Sequence, residues 1–321
     1  MIALAGRFLW DFWTVEAPDE IGPITWLYAL SAPHDPDPDT RHGRARVEAF
    51  RSRDLRDWKH MGVALEPGQS GAWDDMAIWT GSACADPAGG WVMLYTGRSR
   101  AEEGRVQRIG LARSDDLVHW TKHPGPVLEC DPALYRTEGR HGSTNWRDPW
   151  LYRTADGWEA LVTAQHPDGD VMRSGTVARA ISSDLVRWSV HSPVVEERLC
   201  EHMEVPQLLA GDGMLVNAYA HHIPEGGPLP RACVSVHLEP KGSLFGMGQV
   251  VEEWPSDARY VIKEVRPGVG LCWLGQQEDG AFLGQISDPF PLDLSLVVPS
   301  ASQAPHPPTL PITSPTSASG S

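Results

Sequence analysis

Three acidic residues sit in short contexts suited to chemistry. Asp11 lies in Trp10-Asp11-Phe12-Trp13, Asp148 in Asn145-Trp146-Arg147-Asp148-Pro149-Trp150, and Glu204 in Glu204-Val205-Pro206-Gln207. Three acids converging on one pocket would be the hardware of glycoside cleavage: one acid, one nucleophile or base, and a third that tunes charge. Arg147 favours the ionised form of a neighbouring carboxylate, and its planar fork of donors suits a polyol. Pro149 restricts the residue before it, which predicts an extended Asp148. Flat tryptophan faces match the C–H faces of a sugar ring, although tryptophan is equally a large core residue. Taken alone, Arg-Asp-Pro is also what a salt-bridged surface loop looks like. What matters is whether the chain brings these segments together.

A repeat argues that it does. Ser52-Arg53-Asp54-Leu55-Arg56-Asp57-Trp58 is echoed by Ser114-Asp115-Asp116-Leu117-Val118-His119-Trp120 and by Ser182-Ser183-Asp184-Leu185-Val186-Arg187-Trp188. Each copy follows an alternating run and precedes a polar stretch that ends in an apolar pair. That pattern reads as strand, tight Ser-x-Asp-Leu turn, strand. A spacing of more than sixty residues in a β-rich chain predicts propeller blades. The repeated tryptophans then read as packing between blades, not as sugar contacts.

Counting from the repeat gives an all-β chain: a five-bladed β-propeller with four antiparallel strands per blade. The blades open near residues 9–15, 75–83, the Arg147-Asp148-Pro149 stretch, 202–209 and 259–265, and the last holds a degraded echo, Ser287-Asp288-Pro289. Innermost propeller strands line the central cavity, so the blade starts are where site residues belong. The residues before Asp11 are expected to close the ring against the fifth blade. The propeller is expected over residues 1–298. Residues 299–321, rich in Pro, Ser and Thr, form an expected disordered tail.

The chain of 321 residues carries 27 basic and 42 acidic side chains, a net charge of −15, which disfavours nucleic acid and anionic membrane as partners. Five scattered cysteines without a CxxC pair suggest neither a disulfide framework nor zinc. No apolar run approaches membrane-spanning length, and the first residues lack a signal-like pattern. A cytoplasmic protein is the expectation. The acidic loop His34–Thr40 lacks calcium-loop spacing and reads as surface. The pair His221-His222 has no carboxylate companion at ligand spacing, so no metal and no cofactor is expected.

The segments Trp10-Asp11-Phe12-Trp13, Trp79-Thr80-Gly81-Ser82-Ala83, Arg147-Asp148-Pro149 and Glu204-Val205-Pro206, in this order at blade starts, resemble glycoside hydrolase families 32 and 68, the invertases, fructan hydrolases and levansucrases. The first segment is similar to the Trp-Asp-Ser-Trp of the levansucrase branch; the Asn-Asp-Pro-Asn of the invertase branch is absent. The resemblance spans roughly residues 8–290 and implies a retaining β-fructofuranosidase, hydrolytic or transglycosylating, acting on a small carbohydrate such as sucrose or a fructan. It implies Asp11 as nucleophile, Glu204 as acid/base and Asp148 as transition-state stabiliser. Trp10, Trp79, Thr80 and Arg147 would bind substrate. The chain is too short for the C-terminal β-sandwich of family 32, so none is expected. Glu201 competes with Glu204 for the acid role, and the Glu-x-Pro register favours Glu204.

Two alternatives stay open at this point. Family 43 arabinofuranosidases and xylosidases share the five-bladed shell but invert configuration, with the equivalent of Asp11 acting through water. A non-catalytic glycan-binding propeller is the other, although such a shell has no need of three carboxylates.

Overall fold

The computed structural model of the chain describes residues 1–210, 213–219, 233–250, 259–276, 281–292 and 294. Alternating β-branched, aromatic and small residues build five antiparallel sheets. The first holds β1 (Arg7–Ala17), β2 (Ile24–Pro33), β3 (Arg46–Ser52) and β4 (Lys59–Leu65). The second holds β5 (Ala77–Ala85), β6 (Trp91–Arg98), β7 (Gln107–Ser114) and β8 (Thr121–Lys122). The third holds β9 (Arg147–Arg153), β10 (Trp158–Gln165), β11 (Gly175–Ser182) and β12 (Ser189–His191). The fourth holds β13 (His202–Leu208), β14 (Met214–Tyr219), β15 (Cys233–Lys241) and β16 (Leu244–Val250). The fifth holds β17 (Arg259–Arg266), β18 (Val269–Gln276), β19 (Phe282–Ile286) and β20 (Phe290–Pro291). This is the expected five-bladed propeller.

Second strands such as Trp158–Gln165 are buried along their whole length, because each sheet is covered on both faces by neighbouring blades. The core is accordingly a set of inter-blade clusters, one of which joins Tyr28 and Leu30 of the first blade to Met93 and Tyr95 of the second.

The Ser-x-Asp-Leu-x-x-Trp repeat is the hairpin between the third and fourth strands of the first three blades. In each copy one Asp oxygen (Asp54, Asp116, Asp184) accepts two backbone N–H groups at 2.8–2.9 Å. The leucine adopts a left-handed backbone, with φ of 62°, 65° and 67° at Leu55, Leu117 and Leu185. Its carbonyl accepts the indole N–H of Trp58, Trp120 or Trp188. These tryptophans are half-buried between blades, as expected; Trp120 meets Tyr28 of the first blade edge-on at 5.7 Å.

Ring closure comes from the N-terminus. Ile2 and Ile286 exchange both backbone hydrogen bonds, and the Trp273 indole donates to the Leu9 carbonyl at 2.8 Å. The degraded echo Ser287-Asp288-Pro289 does not form a hairpin. It interrupts the third strand of the last blade, whose two pieces, β19 and β20, pair with the same strand β18. Pro289 has no N–H for the ladder, so the strand bulges there. The end of the fourth blade near Trp254, the pair His221-His222 and the tail 299–321 lie outside the described residues.

Every innermost strand breaks register at one equivalent place: after Trp10, Trp79, Arg147, Glu204 and Tyr260. A bulge inserts one unpaired residue and re-aims the side chains beside it. Gly81 is required for this in the second blade, since a Cβ there would lie 2.2 Å from the Leu94 carbonyl oxygen. In three blades the bulged residue has positive φ: 54° at Asp148, 50° at Val205 and 54° at Val261. The expected extended Asp148 is therefore corrected. The bulge, not Pro149, sets its backbone, and the Thr96 hydroxyl holds its N–H at 3.0 Å.

Candidate active site

The five bulges ring one end of the channel and open into a cavity of about 670 Å³. Trp10 and Asp11 of β1, Trp79 of β5, Arg147 and Asp148 of β9, Glu204 of β13 and Tyr260 of β17 all line it. The three acids expected to act together are thus brought together, each from a different blade. Glu201 lines the cavity too, fully buried just ahead of β13.

Asp11 accepts the Thr80 hydroxyl on Oδ2 at 3.0 Å. Burial first, then the charges of Asp148 and Glu204, push its carboxyl up to about 7. For Asp148, three partners meet at Oδ2: the Thr163 hydroxyl at 3.1 Å, the Val205 N–H at 3.3 Å and Arg147 Nε at 3.4 Å. Its other oxygen is the one available to a ligand. Burial pushes Asp148 up to about 6 even though Arg147 pulls it down. Arg147 favours the ionised form of its neighbour as expected, but desolvation is the larger effect and the net shift is upward.

Arg147 instead serves Glu204. Its Nη2 donates to Glu204 Oε1 at 2.5 Å, and its Nη1 to Asn145 Oδ1 at 2.8 Å and Gln107 Oε1 at 3.2 Å. The Tyr260 hydroxyl donates to Glu204 Oε2. Burial alone would raise Glu204, but Arg147, His202 and Tyr260 outweigh it and hold the carboxyl below its usual range. The Arg147 fork is thus largely occupied by protein groups.

Trp10 and Trp79 stand in the cavity wall as expected. One face of Trp79 is covered by the Arg98 guanidinium, 4.0 Å from the ring centroid. Thr80 is a correction. It is buried and does not line the cavity; its hydroxyl is spent on Asp11.

Sequence reasoning missed the rest of the wall. The acidic loop is on the surface where expected, but it ends in a 3-10 turn (Pro38–Gly43) that sends Arg41 and His42 into the cavity. Arg41 lies 5.7 Å from the Trp10 ring and 5.6 Å from that of Trp273, and burial together with Arg41 pushes His42 down to about 3. Arg140 and His141 enter from the segment before β9. No periodicity announces such loop residues, whereas Tyr260 stands where the fifth blade start required a site residue. Among the described residues, no group of three or more His, Cys, Asp or Glu could hold a metal ion.

The family model for the N-terminal domain of glycosyl hydrolases family 32 matches residues 35–224, more than half of the chain and including Asp148 and Glu204. An acid β-fructofuranosidase of Phaseolus vulgaris is 38% identical over 119 residues, covering 35% of this chain and 16% of that protein. A sucrose:sucrose 1-fructosyltransferase of Festuca arundinacea is 28% identical over 180 residues, covering 54% of this chain and 26% of that protein. The chain therefore matches only a minor part of the length of these curated relatives. The structure of an inulosucrase from Halalkalicoccus jeotgali bound to kestose has a TM-score of 0.67 at 22% identity, covering 88% of this chain and 80% of that one. At that identity the likeness shows the fold. The match over residues 35–224 decides between the families considered above: the chain belongs to glycosyl hydrolases family 32.

Proposed function

We propose that this protein cleaves small β-fructofuranosides, such as sucrose or short fructans, with retention of configuration, passing the fructosyl unit to water or to another sugar. The observation that carries this reading is the convergence of Asp11, Asp148 and Glu204 on one cavity of sugar size. Asp11 attacks the anomeric carbon through Oδ1 while Thr80 steadies Oδ2. Glu204 protonates the departing oxygen and then, as a base, activates the acceptor. Asp148 takes hydroxyls of the fructosyl ring on the oxygen that Thr163, Val205 and Arg147 leave open. Trp10 and Trp79 wall the ring, and Arg147 acts chiefly through Glu204.

The reaction needs Asp11 ionised and Glu204 protonated, whereas burial and the neighbouring charges favour the proton on Asp11. Both arrangements hold one proton among the three acids. Substrate therefore has only to move that proton within the site, not to draw one from solvent. A reducing, cytoplasmic setting belongs to this reading, supported by the free thiols of Cys84, Cys130, Cys200 and Cys272.

The test is incubation with sucrose, 1-kestose and inulin oligomers, following the first-formed sugar by NMR, with methanol as a competing acceptor. Retained configuration and a methyl fructoside are expected. A first product of inverted configuration would remove Asp11 from the nucleophile role. Absence of turnover on every fructoside would overturn the substrate class.

A further inference from the structure

Lys263 is a buried cation that none of the steps above uses. It lies on β17 just past the bulge that presents Tyr260, and it is 3% exposed. Its ammonium donates to the carbonyls of Val205 at 2.5 Å and Pro206 at 3.3 Å and lies 5.7 Å from the Trp150 ring centroid. Burying an ammonium is costly, and an apolar side chain would fill the same space more cheaply. Burial pushes the group down to about 7, opposed by the nearby charges of Asp148 and Asp11.

The carbonyls that it holds are those of the fourth-blade bulge. Val205 is β-branched and sits at φ 50°, a strained backbone state that persists only when its surroundings impose it. The Val205 N–H reaches Asp148 Oδ2, and the residue before it is Glu204. A single side chain from the fifth blade thus fixes the backbone segment that carries one acid and hydrogen-bonds another.

We propose that Lys263 is a positioning residue: its ammonium clamps the Val205–Pro206 bulge, which sets Glu204 against Arg147 and the Val205 N–H against Asp148, and it places a further positive charge beside Asp148 and Asp11. This rests on the reading of those acids as the reacting groups. The groups that face Lys263 are Asp11 from β1, Asp148 and Trp150 from β9, and the Val205 and Pro206 carbonyls from β13.

The experiment compares K263M, K263Q and K263R with the wild type in two readouts. The first is titration of ¹³C-labelled carboxyls by NMR, which needs no turnover; the second is the kcat and KM for sucrose. In K263M the Asp11 and Asp148 titrations should move up by about half a unit or more, because an opposite charge has gone. Its kcat should fall by about 10- to 100-fold with KM changed far less, while K263R keeps the wild-type titrations. If K263M does not fold, K263Q decides, since it keeps a donor to the carbonyls but not the charge. Titrations of Asp11 and Asp148 that stay in place in the folded, uncharged variant overturn the proposal, as does a kcat of K263M within twofold of wild type. A wild type inactive on every fructoside would overturn the function reading alone, leaving the NMR arm to decide on Lys263.

Discussion

Arg147 Nη2 lies 2.5 Å from Glu204 Oε1, so the arginine next to one acid in sequence is bonded most closely to an acid on the following blade. This pairing favours the ionised form of Glu204 and fixes where its carboxyl group points. Lysine cannot reproduce it, because one ammonium cannot reach Glu204, Asn145 and Gln107 in the same plane. Arg147→Lys is expected to lower kcat by about 10- to 100-fold on sucrose and to raise the Glu204 titration. A fully active lysine variant would show that the fork is dispensable.

The site is competent when its three acids share one proton. With Asp148 near 6 and Asp11 near 7, that state dominates only between those values. Below it a second proton enters and Asp148 is neutral; above it the last proton leaves and nothing remains for Glu204 to donate. The kcat/KM profile should be a narrow bell with limbs at about 6 and about 7, belonging to the cluster and not to single residues. A plateau running to pH 9 would contradict this account.

Asp11→Asn separates stability from activity. Folding raises Asp11 from 3.8 to about 7, so the folded state favours its protonated form. The penalty is absent below about 3.8, grows as pH rises and is complete above about 7. Asparagine removes it, and the variant should gain about 1–3 kcal/mol in urea unfolding at pH 8 and almost nothing at pH 3. Turnover should fall by about a thousandfold or more even on an activated aryl fructoside, since no other group forms the covalent intermediate. Equal stability at both pH values would argue against an uncompensated carboxylate.

The repeated turn offers a control away from the chemistry. Asp184 Oδ1 accepts the N–H groups of Val186 and Arg187, which hold Leu185 in its left-handed state. Asp184→Ala should cost about 1–2 kcal/mol, read as a lower Tm, with the KM for sucrose unchanged. A changed KM would mean that the hairpin communicates with the cavity.

The sequence by itself determined the five-blade order, the hairpins and the three acids, because each is written locally. The Ser-x-Asp-Leu-x-x-Trp turn is closed by its own side chains, and strand alternation follows from the period-two geometry of the chain. Blade starts located Asp11, Asp148 and Glu204 because innermost strands must face the channel. Tertiary structure alone decided which partner each charge takes. Arg147 reads in sequence as the companion of Asp148, yet the register break after each of Arg147 and Glu204 turns those two side chains toward one another across blades. The left-handed Asp148, the burial that overrides Arg147 there, and the Arg41–His42 wall are likewise products of packing. Desolvation and inter-blade distance are properties of the closed ring, and no run of neighbouring residues encodes them.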